Sequence, residues 1–106
     1  MKVAIYGQVY QKSSLIPIES LFQICHKKSF DVYIETSFFK SIKQEESIRE
    51  IIKDFNNFKE LDKSFDLFIS IGGDGTILRA VTYVRDLNIP IIGINTGRLG
   101  FLATIQ

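Results

Sequence analysis

A parallel α/β sheet flanked by helices is the fold class predicted by this sequence of 106 residues. Three observations predict it. Strand-like and helix-like segments alternate along the chain. Two short apolar runs, residues 66–71 (DLFISI) and 90–95 (PIIGIN), are nearly continuous, as in strands buried on both faces. Each of them runs straight into a glycine-bearing loop. The resulting order, βαβ(α)βαβ, is Rossmann-like, and ligands of such sheets belong at the carboxyl ends of the strands.

The elements follow in order. Residues 2–7 read as a short apolar strand, and 8–14 as a polar loop. Leu15, Ile18, Leu21, Phe22 and Cys25 recur at helical spacing, with Ser13 or Ser14 as N-cap and Pro17 tolerated near the first turn. Residues 31–36 (DVYIET) predict a second strand with Val32 and Ile34 on one face. Ile48, Ile51, Ile52 and Phe55 have the spacing of an amphipathic helix, with Glu45 and Arg49 four apart in the favourable orientation. Asn56-Asn57 is expected to end that helix, and 58–64 to be irregular or a weak extra turn. After the 66–71 strand, Ile77, Leu78, Val81 and Val84 mark a helix with Arg79 and Arg85 on its polar side. Phe101-Leu102-Ala103-Thr104-Ile105 has no evident partner within the chain, so an uncovered apolar face and self-association are expected.

Composition narrows the function. Thirteen basic and twelve acidic residues leave a net charge of +1, which gives no field for gathering nucleic acid or a membrane surface. The segment 40–63 carries six basic and six acidic residues, a balanced and solvated face. Val3 to Tyr6 is too short for a signal peptide or a membrane span, so a cytoplasmic location is expected. One cysteine, Cys25, and one histidine, His26, exclude an internal disulfide, a two-histidine catalytic scheme and a Cys-Cys zinc cluster. Cys25 belongs to the apolar stripe and His26 to the exposed side. Phe38, Phe39, Phe55 and Phe58 are expected to pack under the sheet or to face a partner domain.

Six of the seven glycines lie between Gly72 and Gly100. The first cluster, Gly72-Gly73-Asp74-Gly75-Thr76, surrounds one carboxylate between a strand and a helix. Glycines let an anion approach the main chain, and the amides opening the next helix can hold its oxygens. Asp74 would repel phosphate, which suits a group that holds a hydroxyl or a divalent cation bridging to phosphate. A plain turn with Asp74 as helix cap is the alternative. The cluster is neither a Walker A loop nor a G-x-G-x-x-G fingerprint. A second glycine-bearing loop, residues 95–100, follows the next strand, and two such loops at adjacent strand ends make one crevice.

GGDGT after a buried strand resembles the signature shared by diacylglycerol and sphingosine kinases, phosphofructokinases (in a Ser variant) and NAD kinases. The second stretch, Gly93-Ile-Asn-Thr-Gly-Arg-Leu-Gly-Phe-Leu102, is similar to the NAD kinase motif, whereas lipid kinases tend to carry a proline and a Gly-Thr-Gly-Asn-type loop. The resemblance implies phosphorylation of the 2′-hydroxyl of the adenosine ribose of NAD, giving NADP. ATP or inorganic polyphosphate would be the donor, with a divalent metal such as Mg²⁺. It implies Asp74 as the catalytic residue that accepts the hydroxyl proton. Asp74, Gly75, Leu78 and Phe101 would contact NAD, the last packing against adenine. Gly72, Gly73, Thr76 and Arg79 would lie at the donor's phosphates. It gives Arg98 no role and no residue as a dedicated metal ligand.

Members of that family have two domains. The resemblance therefore implies that residues 1–106 are the N-terminal domain, without the β-sandwich domain, the Asn-Glu pair that grips the ribose and most of a homo-oligomer interface. Little activity is expected from this part alone. The alternatives are a lipid or sphingoid-base kinase and a non-catalytic nucleotide-binding fragment.

Overall fold

In the computed structural model, which describes residues 1–7, 15–95 and 101–105, six strands form one sheet. In chain order the elements are β1 (Lys2–Gly7), α1 (Leu15–Lys27), β2 (Asp31–Glu35), α2 (Thr36–Ile42), α3 (Glu46–Ile52), β3 (Asn56–Phe58), β4 (Leu67–Gly72), α4 (Asp74–Val84), β5 (Ile91–Asn95) and β6 (Phe101–Ile105). The spatial order is β3-β2-β1-β4-β5-β6. The first five are parallel and β6 runs antiparallel to β5. The predicted Rossmann-like α/β architecture is therefore the fold.

Alternation along the central strands sorts the core into two layers. Val3, Ile5, Ile69 and Ile71 face one side, where Ile18, Phe22 and Cys25 of α1, Phe38 and Ile42 of α2, and Ile48 and Ile52 of α3 cover them. Ala4, Tyr6 and Phe68 face the other side, against Ala80 and Val84 of α4 and the aromatic residues Phe58 and Phe65. Val3, Ala4 and Ile5 are wholly buried, as a central parallel strand requires.

The helix over 15–27 has the predicted face, with Ile18, Phe22 and Cys25 buried and Ile16 and Ile24 exposed. Its expected caps, Ser13 and Ser14, lie outside the described residues. At its other end Ser29 takes φ 56°, and the Phe30 and Ser29 amides donate to the Cys25 and His26 carbonyls at 3.0 and 3.1 Å. That pair of bonds is a Schellman ending, and Phe30 completes it by packing on the same core.

Four expectations need correction. The strand expected over residues 31–36 stops at Glu35, and Thr36 opens a helix that the spacing of apolar residues does not announce. Asn56-Asn57 does not end a helix; α3 closes at Ile52, and 56–58 form β3, paired with Tyr33, Ile34 and Glu35. Three residues with only Phe58 buried are too short to show a period of two. Arg49 does not lean on Glu45: its Nε and Nη2 donate to the Lys43 and Gln44 carbonyls at 2.8 and 3.3 Å, tying the turn between α2 and α3. Lastly, Phe101–Ile105 does have a partner in the chain, because β5 offers it a free edge from Ile91↔Ile105 to Asn95↔Phe101. The phenylalanines pack as expected. Phe38 and Phe58 are buried, Phe39 lies against the core, and Phe55 sits edge-on to Phe22 at 5.8 Å.

Candidate nucleotide site at the carboxyl edge of the sheet

The chain leaves β1 toward β2 on one side and β4 toward β5 on the other. The strand order therefore reverses between β1 and β4, and in open α/β sheets the crevice at such a reversal is where ligands bind. The register places the ends of three strands level there: Gly7 pairs with Ile71, and Gly72 with Asn95. Both predicted loops begin at this edge. Residues 96–100 of the second, Arg98 among them, lie outside the described residues.

The three glycines of the first loop are not equivalent. Gly72 takes φ +153°, which side-chain-bearing residues rarely adopt, and a Cβ there would lie 2.9 Å from Cβ of Thr76. Thr76 is 4% exposed and its amide donates to the Gly73 carbonyl at 3.1 Å. The fold itself thus demands glycine at 72, so that α4 can start directly on the strand end. Gly73 and Gly75 are different, since a Cβ on either would meet no atom of the described residues beyond its chain neighbours within 4 Å. Nothing among the described residues occupies the space in front of them.

Gly73 is the N-cap of α4, with φ −86° and ψ −171°, and makes no side-chain cap hydrogen bond. Asp74 is the first helical residue rather than the cap, so the reading of Asp74 as a simple N-cap is not what the backbone adopts. A carboxylate in a first turn also interacts favourably with the helix dipole.

Beyond the loop, α4 turns a different face to the sheet from the one predicted. Thr76, Ala80 and Val84 are buried and Ile77 and Tyr83 pack on the core, while Leu78 is 69% exposed and Val81 lies largely outside. Thr76 and Ala80 carry much of the buried face, so large apolar side chains do not mark it. Leu78 and Arg79 both stand on the outer face, one turn past Gly75. Tyr83 lies over Tyr6 at 5.0 Å, and burial, then the charge of Glu35, pushes its hydroxyl pKa up. Phe101 opens β6 opposite Asn95, so its backbone belongs to the same edge. The structure therefore brings together the backbone of Gly72, Gly73, Asp74, Gly75 and Phe101, and leaves Thr76 facing inward. Among the described residues no three His, Cys, Asp or Glu side chains could hold a metal.

Against known proteins, residues 3–106 match the family model described as the ATP-NAD kinase N-terminal domain. The chain belongs to that family. An NAD kinase of Christiangramia forsetii is 52% identical over all 106 residues, and one of Flavobacterium psychrophilum 49%. An NAD kinase of Bacteroides fragilis is 39% identical over the same length. The chain spans 36% of the length of each of these relatives. As an ATP-NAD kinase N-terminal domain, it holds its glycine cluster at the strand-order reversal.

Proposed function

We propose that the protein carrying this domain is an NAD kinase, transferring a phosphoryl group from ATP or polyphosphate to the 2′-hydroxyl of the adenosine ribose of NAD. The observation that carries the reading is the open space before Gly73 and Gly75 at the reversal point, beside a carboxylate-bearing first turn. The names of the relatives supply the substrate class.

In this reading Asp74 is the general base. As the ribose oxygen forms its bond to the terminal phosphorus, Asp74 takes the hydroxyl proton, and the bond from phosphorus to the leaving phosphate oxygen breaks. Gly72 and Gly73 bring the main chain close to the donor's phosphates, with Arg79 as the nearby cation. Thr76, buried under Gly72, serves them through the shape of the turn. Gly75, Leu78 and Phe101 would face NAD, and the exposure of Leu78 leaves it available for such a contact.

In this reading a Mg²⁺ would be carried by the donor's phosphates, with Asp74 as a carboxylate able to help hold it. When bound, that ion would neutralise charge on the transferring group. The reading includes a cytoplasmic location and a homo-oligomeric assembly for the full protein; no helix among the described residues is long and apolar enough to cross a membrane.

The test is NADP formation by the full-length protein with NAD, ATP and Mg²⁺, run beside polyphosphate as donor and diacylglycerol as acceptor. NADP as the product supports the reading. Phosphorylated lipid without NADP overturns it.

A further inference from the structure

Glu35 ends β2 at the same edge as Gly7 and Gly72, and it is 7% exposed. Its Oε2 accepts from the Ser37 amide at 2.9 Å and its Oε1 from the Phe38 amide at 3.0 Å. Helix N-caps favour Ser, Thr, Asp and Asn, whose short side chains reach one amide. Here the longer carboxylate takes two, and charge-assisted bonds to main-chain amides are among the stronger ones. Thr36 adds a third tie, its Oγ1 donating to the Phe58 carbonyl at 3.1 Å. The first turn of α2 is thereby held in one orientation.

That orientation sends the Phe38 ring, 2% exposed, beneath Gly7. A Cβ built on Gly7 would lie 2.5 Å from Cζ and 2.7 Å from Cδ1 of the ring, so only a hydrogen fits between them. Gly7 is the last residue of β1, paired with Ile71 of β4, and these two strands flank the crevice. Carboxylate, ring and strand end form a continuous series that stops at the lip of the site without including the glycine loop.

We propose that Glu35 and Phe38 are positioning residues for the nucleotide crevice: the carboxylate fixes the first turn of α2, and that turn holds the Phe38 ring against Gly7, setting where β1 ends. The proposal rests on the nucleotide reading of the crevice. It assigns Gly7 a role in substrate placement that its sequence position, a glycine ending a strand, does not announce.

The test uses the full-length protein and steady-state kinetics with NAD and ATP, each variant assayed well below its own melting temperature. Gly7→Ala should raise the KM for a nucleotide by about tenfold while kcat stays within about threefold, since the wall moves but the base does not. Glu35→Ala should do the same, and Glu35→Gln, which keeps one acceptor, less. In Gly7→Ala/Phe38→Leu the smaller side chain should make room and recover most of the affinity. Variants that melt earlier but keep wild-type KM values overturn the proposal, because a purely structural cap would behave so. A double variant no better than Gly7→Ala, or one that also fails to fold, overturns it too. Wild-type protein that forms no NADP sinks the kinase reading alone. The brace is then read from calorimetric titration with ATP and with NAD, where the same loss and recovery are expected.

Discussion

Thr76 lies directly over Gly72, and the two together close the first turn of α4 onto the end of β4. The contact leaves no room for a methyl group at 72, and the positive φ there adds its own strain. Gly72→Ala is therefore expected to cost about 1–3 kcal/mol. Thermal melting should show a fall of at least about 4 °C. An unchanged melting curve would contradict the geometry.

Gly75→Ala should behave in the opposite way. Position 75 lies in the first turn of α4 with open space around it, so alanine should leave stability unchanged or raise it by about 0.5–1 kcal/mol. NADP formation should nevertheless fall at least about tenfold if the proposed site is right, because the methyl group then enters the space assigned to the ligand. A stable variant with full activity would show that the space is idle.

Asp74→Asn keeps size and removes charge and basicity. If Asp74 accepts the ribose proton, kcat should fall by about 10² to 10⁴ while KM for NAD changes little. The melting temperature should fall by no more than a few degrees, since Gly73 and not Asp74 caps the helix and only the interaction of the charge with the helix dipole is lost. Near-normal turnover would remove the general base from the scheme.

The two faces of α4 separate packing from contact. Val84→Ala, at a buried position, should cost roughly 2 kcal/mol in chemical denaturation. Leu78→Ser, at an exposed one, should stay within about 0.5 kcal/mol of wild type yet weaken NAD binding in a direct titration. Equal losses of stability in both would mean that the helix is rotated from the orientation described.

Cys25 gives a pH-dependent expectation. Burial raises its thiol pKa in the folded protein above the unfolded value of about 8.5. The unfolded chain therefore releases the proton first, so this contribution to stability is complete below the unfolded pKa and is lost as pH rises through the folded one. Thiol labelling at pH 8 should be slow and should track unfolding; rapid labelling of folded protein would place Cys25 at the surface.

Much of this was legible in the sequence because the informative segments are long or chemically extreme. The strands from Lys2 and Leu67, and the helix from Leu15, lie within a residue or two of where apolar runs and periodicity put them. The short elements were not legible. Helix α2 is started by a glutamate, which capping rules do not favour, and β3 has three residues, two of them exposed asparagines. The candidate site was legible only from two glycine-bearing loops at adjacent strand ends, since GGDGT alone serves a plain turn equally well. What could not be read is that Gly72 answers to Thr76 while Gly73 and Gly75 answer to nothing among the described residues, since identical letters hide different surroundings.

The pairing of β1 with β4 has a consequence for the order in which the molecule is built. Lys2 and Asp66 exchange main-chain and side-chain bonds at the start of this pair across 64 residues of chain. Local structure, such as α1 and the β1–β2 pair, can form early, whereas closing so long a loop costs entropy before any contact repays it. The crevice lies on that long-range seam. A folding intermediate with α1 and β2 in place would have helices and much of one core, but no nucleotide site. Nucleotide binding would thus report the final stage of folding, and ligand would stabilise only the completed molecule.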